Sequence, residues 1–295
     1  MALSRVIDSR PVRASRGLRT FLTAVWLGWQ LETNWAGPWV FGLYVVLRPI
    51  ASGLILVVMY SVITNGALQQ PLFAYIYLGN ALYLIVGQLV SGISNAVVED
   101  RELYRMMKQI HTAPLNGYSY LLGRGVARSV VGGLSVLITI GFGMLFFPLP
   151  LTLAGIDWPL LLVSTVVGLT AIAALGIILA AVNMVIPRHL GQIGDTVSGA
   201  LYVVSGAIFP LDVLPTWLQP LGYIFPVTYW LEAARRALLG PDAVRFPSLS
   251  AFSDTDLVGI LALSTVVLTA ISIVVYRWAL FEAKERGVLD METSY

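Results

Sequence analysis

Six long apolar runs, at about 40–63, 72–97, 122–147, 159–186, 194–211 and 257–280, constrain this chain more than any other feature of its sequence. Crossing the roughly 30 Å hydrocarbon core of a bilayer takes about 20 predominantly apolar residues in an α-helix. Each run is near or above that length except the fifth, which is shorter. A water-soluble fold has no place for so much apolar surface. Of the 295 residues 57% are hydrophobic and 12% charged, whereas a soluble domain carries about a quarter of its residues as charges. The pattern predicts an all-α polytopic membrane protein with six transmembrane helices, since helices satisfy their backbone polar groups without water. The stretches between runs are too short to build a core of their own. Two parts are expected: an arm with an interface helix over 1–38, and a six-span transmembrane domain over 39–295. A cleavable leader is not expected, because the first spanning run begins near Trp39.

Basic residues give the orientation. Arg5, Arg10, Arg13, Arg16 and Arg19 precede the first run, and Arg101, Arg105, Lys108, Arg124 and Arg128 lie between or beside the second and third. Arg188 falls in the fourth-to-fifth turn, and Arg277, Lys284 and Arg286 end the last run. On the other side stand Arg235, Arg236 and Arg245, while Arg48 lies inside the first run. The positive-inside rule places the larger group, and both chain ends, in the cytoplasm. The expectation is a multi-pass protein of a bacterial or archaeal plasma membrane.

Three further segments carry their own patterns. Leu18, Phe21, Leu22, Val25 and Trp29 recur at helical spacing beside Trp26 and Trp35, behind an arginine-rich lead. That reads as an amphipathic helix in the cytoplasmic interface; the alternative is a helix packed on the protein's own base. Over 99–112, Leu103, Met106, Met107 and Ile110 fall on one narrow stripe. Glu99, Asp100 and Glu102 open that segment and Lys108 and His111 close it, as a helix dipole favours. Such a short projecting helix, with its soft Met pair, suits a groove on a partner, although a solvated loop helix fits the same periodicity. Finally, Pro210, Pro215, Pro220 and Pro226 cut the segment from 210 to 239 into pieces too short to span. Pro226 is placed to start a helix, and Glu232 and Arg236 to pair at i, i+4. A re-entrant outer hairpin over 212–239 is expected rather than an exposed loop, given Trp217, Tyr223, Phe225, Tyr229 and Trp230.

Several chemistries lack their residues. There is no cysteine, so disulfides and thiol chemistry are excluded. Neither lysine, Lys108 or Lys284, follows a glycine-rich phosphate loop, so no nucleotide site of that type exists in the chain. His111 and His189 have no ligand-spaced partners for zinc. No G-x-S-x-G occurs, and carboxylates are absent from the span centres, Asp195 being the nearest. An intramembrane enzyme and an ion-coupled carrier are both disfavoured. No catalytic, cofactor or metal residue is expected, and neither is nucleic-acid binding. Any energy must come from elsewhere.

Two runs carry polar stripes. Asn80, Tyr83, Gln88 and Ser91 share one face of the second run; Asp195, Ser198, Tyr202, Ser205 and Phe209 share one face of the fifth. Such residues avoid lipid and face either protein or a hydrated route. Interhelical hydrogen bonding alone remains the alternative use. Arg48, before Pro49, is free to snorkel or to pair with Asp195 or Glu99.

The run from Val98-Glu-Asp-Arg-Glu-Leu-Tyr-Arg-Met-Met through Pro114-Leu-Asn116, followed by Leu121-Leu-Gly-Arg124, resembles the cytoplasmic signature of ABC type-2 exporter permeases. Ser205-Gly-Ala-Ile-Phe-Pro210, then Phe225-Pro-Val-Thr-Tyr-Trp-Leu-Glu-Ala-Ala-Arg235, is similar to that family's second signature, after the fifth span. Phe225 stands where many members carry Asn, which leaves the substrate class open. The resemblance implies a half-transporter: two permease copies, or this chain with a similar one, and two separate ATPase subunits that hold ATP and Mg. It implies a coupling helix at 99–112 docking the ATPase through Glu99, Arg101, Leu103, Met106, Met107 and Ile110. The implied route runs past Asn80, Tyr83, Gln88, Ser91, Ser198, Tyr202 and Ser205. An exit gate would comprise Phe209, Pro210, Trp217, Pro226, Tyr229 and Trp230. The expected cargo is an amphipathic drug or lipid-like molecule, with a lipid-linked polysaccharide or glycolipid as the alternative.

Overall fold

The computed structural model describes residues 16–34, 37–66, 68, 71–186, 193–240 and 249–288, and among these every regular element is a helix. The α-helices are α1 (Arg16–Thr33), α2 (Pro38–Thr64), α3 (Pro71–Val98), α4 (Met107–Thr112), α5 (Gly117–Phe146), α6 (Trp158–Val185), α7 (Ile193–Val204), α8 (Gln219–Ile224), α9 (Pro226–Leu239) and α10 (Asp254–Glu285). Arg5, Arg10, Arg13, Trp35, Arg188, His189 and Arg245, used above, lie outside the described residues.

Local chemistry explains the ends of the long helices. Proline occupies the first turn of α2, where its missing N–H costs nothing. That helix stops where Asn65 and Gly66 turn left-handed, at φ 52 and 88°. The Asn116 side chain accepts the Ser119 N–H to cap α5, and Asp157 accepts that of Leu160 to cap α6. At α10 the Ser253 side chain and Asp256 form a reciprocal capping box.

Among the described residues five helices are long and apolar enough to cross a membrane: α2, α3 with its extension to Leu103, α5, α6 and α10. Six crossings were expected, the fifth the shortest, and it is the fifth that differs. The helix α7 has 12 residues, about 18 Å at 1.5 Å per residue, short of the hydrocarbon core. It ends because Gly206 takes a positive φ of 75°, a conformation that suits glycine. The carbonyls of Gly206 and Ala207 both accept hydrogen bonds from Arg235 Nη2, at 2.8 and 3.0 Å. An arginine from α9 thus caps the broken helix, and the expected regular span over 194–211 gives way to a turn.

The bundle is organised around α3, which is buried along nearly its whole length and packs against α2, α5, α6 and α7. The helix α10 lies along α6, and α1 along α5. Contact between α1 and α5 needs small residues: a Cβ on Gly123 would meet Ala24 Cβ and the Phe21 carbonyl at 2.6 Å. The outward face of α1 keeps Leu18, Leu22 and Trp26 exposed. Beyond Gly206 the chain makes a 3-10 turn at Leu211–Val213, then α8, then α9. Helix α9 is buried on nearly every side, against α6, α10 and α3. The expected Glu232–Arg236 pair forms at 2.9 Å.

The expected continuous helix over 99–112 is instead two pieces. Glu99–Leu103 forms a π-helical turn that extends α3, with the Tyr104 N–H donating to the Glu99 carbonyl. The chain then breaks at Arg105, whose φ is 49°, and only Met107–Thr112 is α-helical. The apolar stripe comes apart as a result. Leu103 is 69% exposed, Met107 only 4%. Met107 and Ile110 point into a small cavity of about 80 Å³, shared with Val97, Tyr120, Met184 and Tyr276.

Candidate functional site

Helices α2, α3, α5 and α7 enclose a half-open cavity of about 520 Å³, within the range of pockets that hold drug-sized molecules. The polar stripe of α3 forms one wall, because residues spaced three or four apart share a helix face. Asn80, Tyr83, Gln88, Ser91 and Asn95 line it; Asp195, Ser198 and Tyr202 of α7 stand opposite. From α2 come Arg48 and Ser52, and from α5 Arg128 and Ser135.

The two polar stripes are tied to one another. The Tyr83 hydroxyl donates to the Ser198 carbonyl at 2.6 Å, and its ring lies 4.8 Å from that of Tyr202. Tyr202 donates in turn to Asn80 Oδ1, which Ser52 Oγ also approaches at 3.5 Å. Nearer the α7 N-terminus, Asn95 Nδ2 donates to Asp195 Oδ2 at 3.2 Å. Arg48 meets neither Asp195 nor Glu99. Its Nη1 donates to the Tyr44 hydroxyl at 2.7 Å, and its guanidinium stands 5.5 Å from that ring.

At the end of the bundle where α1 lies, an ionic network crosses three elements. Arg124 bridges Asp100 at 2.7 Å and Glu99 at 2.8 Å; Arg128 takes the other Glu99 oxygen at 2.8 Å and also pairs with Glu32 of α1. The Tyr120 hydroxyl donates to Asp100 at 2.8 Å. Arg124 and Asp100 are almost fully buried. Burial pushes the Glu32 carboxyl above its ordinary range, against the pull of Arg128.

Of the residues expected to form a docking surface, Glu99 is held by Arg124 and Arg128. Arg101 is buried, donating to Glu102 and to the Asn183 carbonyl. Leu103 is exposed, Met106 half-buried, and Met107 and Ile110 turn toward the small cavity. Of the expected route residues, Ser205 lies apart. It is buried beside Tyr75, Thr228 and Arg235. Of the expected gate, Phe209 and Trp217 are exposed, whereas Pro210, Pro226, Tyr229 and Trp230 are buried. The Trp230 ring packs over Gly168.

Sequence reasoning missed two functional supports. Arg235, in the sequence an outer charge at the end of the second signature, caps α7 and rests 3.8 Å above the Tyr75 ring. Glu32 was not singled out at all. A signal for the first existed: an arginine inside an otherwise buried, aromatic-rich segment needs acceptors, and a broken helix end supplies them.

Among curated proteins, none matches the chain. A family profile described as "ABC-2 family transporter protein" matches residues 52–281, a stretch that includes the C-terminal half of α2, all of α3 to α9 and most of α10. By that match the chain belongs to the ABC-2 family of transporter proteins.

Proposed function

We propose that this permease subunit is half of an ATP-driven exporter and passes an amphipathic molecule through the cavity between α2, α3 and α7. The observation that carries the reading is the convergence of Asn80, Tyr83, Gln88, Ser91, Ser198 and Tyr202 on one cavity. Polar groups at membrane depth are tolerated where they line such a space. ABC-2 permeases normally work with ATP-binding cassette ATPase subunits, and here two of them, holding ATP and Mg, would drive two permease copies. The distribution of arginine and lysine supports a cytoplasmic position for both chain ends. In this arrangement α7 and its continuation to Phe209 make the fifth of six crossings, and α8 and α9 enter from the outer side as a hairpin. A lipid-like cargo agrees with a wall holding a single pair of rings, Tyr83 and Tyr202, tilted against each other.

The broken segment supports a docking point narrower than a whole helix. Leu103 and Tyr104 project beside Met106 at the tip of the α3 extension, while Glu99 and Asp100 anchor its base to α5. Movement of the tip would therefore be transmitted to α3 and α5 as a rigid-body shift.

Two measurements test these assignments separately. Leu103→Asp is expected to reduce co-purification of the ATPase and its coupled turnover, with the permease still folded. Intact association would exclude the tip as the docking point. Tyr202→Ala is expected to lower transport at least about tenfold while leaving association unchanged, in line with the loss of a buried hydrogen bond and a ring contact. Unaltered transport would reduce the cavity to helix packing.

A further inference from the structure

We infer that the cavity selects amphiphiles with an acidic headgroup, bound through the Arg48 guanidinium, with the unpaired Asn80 amide as a further donor lining the same cavity. This rests on the cavity being the transport route and names the chemistry of its cargo.

Arg48 stands ten residues into α2, about 15 Å along the helix axis from its first residue. A charge so far from the helix end is costly in lipid, and the functional role of such residues is to face a hydrated path or a partner. Among the described residues no carboxylate lies within ion-pair distance of Arg48; its hydrogen bond goes to the neutral Tyr44 hydroxyl. The second cation of the cavity, Arg128, is already shared by Glu32 and Glu99. Arg48 is thus the cation left for a ligand.

Asn80 adds a second donor. The residue is 2% exposed and lines the cavity. Its Oδ1 is occupied by Tyr202 and Ser52, which orients the amide. Its Nδ2 has no partner. An unpaired buried donor is a standing cost that a bound acceptor removes. Arg48 and Asn80 line the same cavity, and Ser52, one turn beyond Arg48 on α2, touches Asn80. The acidic group, Asp195, lies elsewhere. It sits in the first turn of α7, bonded to Asn95, seven residues or about 10 Å of helix from Tyr202. A helix N-terminus stabilises that carboxylate without any ligand. An anion in the cavity therefore finds a guanidinium and an unpaired amide donor on its walls, whereas a cation beside Arg48 meets an uncompensated positive charge. The same helix α2 exposes the apolar residues Leu47 and Ile55, a surface for the alkyl tail of the bound molecule.

The test uses the full chain in phosphatidylcholine nanodiscs with three probes of one chain length: hexadecyl phosphate, hexadecylphosphocholine and hexadecyltrimethylammonium. Binding is measured by calorimetry for the parent, Arg48→Gln, Arg48→Lys and Tyr202→Ala proteins. The expected result is a preference for hexadecyl phosphate of about tenfold or more, lost in Arg48→Gln and largely kept in Arg48→Lys, as a charged hydrogen bond predicts. If Tyr202→Ala weakens all three probes but the parent shows no preference, or Arg48→Gln keeps it, the acidic-headgroup assignment is overturned and the cavity reading survives. If neither Arg48→Gln nor Tyr202→Ala changes the binding of any probe, both are overturned.

Discussion

Arg124→Leu is expected to cause the largest loss of stability of any single substitution in the network between α3 and α5. The parent guanidinium is the shared partner of two adjacent carboxylates, Asp100 at 2.7 Å and Glu99 at 2.8 Å. Removing it leaves Asp100 buried beside Glu99 with only the Tyr120 hydroxyl to compensate. Breaking a buried pair by deleting one partner costs about 3–5 kcal/mol, against a total stability of roughly 5–15 kcal/mol for a typical domain. The α3 extension would come away from α5, and the docking tip would lose its base. A thermal melt in detergent should show a much lower midpoint, with ATPase coupling lost. Arg124→Lys should recover only part of this, because an ammonium cannot present the planar fork that reaches both carboxylates. Arg124→Leu combined with Asp100→Leu should melt higher than Arg124→Leu alone, since no lone buried carboxylate remains at position 100. An unchanged melt for Arg124→Leu would mean that the network contributes nothing to the fold.

Gly79→Ala is the second large effect, and its cause is steric. A methyl group there would overlap both Arg235 Nη2 and the carbonyl oxygen of Ala207. Neither has room to yield. The arginine is 1% exposed and stacked on Tyr75, and the carbonyl belongs to the turn it caps. Overpacking of this kind costs about 1–3 kcal/mol, and losing the buried arginine bonds adds to it. The expected phenotype is a destabilised permease with impaired transport. Gly141→Ala is the control, since nothing lies within 4 Å of its Cβ; it should be neutral or raise stability, by up to about 1 kcal/mol from helix propensity. Equal melts for the two variants would show that the α3–α9 contact tolerates an added methyl group.

Much of this arrangement was legible in the residues alone, and the legible parts share a property. The long apolar runs, the stripe Asn80–Tyr83–Gln88–Ser91 and the Glu232–Arg236 pair are all set by helical period or by neighbours within one turn. The apolar stripe over 103–110 obeyed the same rule in the sequence and failed in the fold. Period says which residues share a face only while the helix is continuous. Here the carboxylates of Glu99 and Asp100 are drawn to arginines more than twenty residues away, and the segment carrying the stripe is broken at Arg105.

The sequence by itself determined that the chain is a helical membrane protein, where its apolar runs lie, and which polar residues fall on common faces. Those follow from hydropathy and from 3.6 residues per turn, which are local. Only the tertiary structure decided that the fifth run ends at Val204, that Arg235 caps it, and that, among the described residues, Arg48 bonds Tyr44 rather than a carboxylate while the Asn80 amide nitrogen stays unpaired. Each of these is a matter of which charged or polar group reaches which partner across the bundle. In a low-dielectric interior such groups must be paired or left at a cost, and the pairing is set by distance in space, which a linear pattern does not contain.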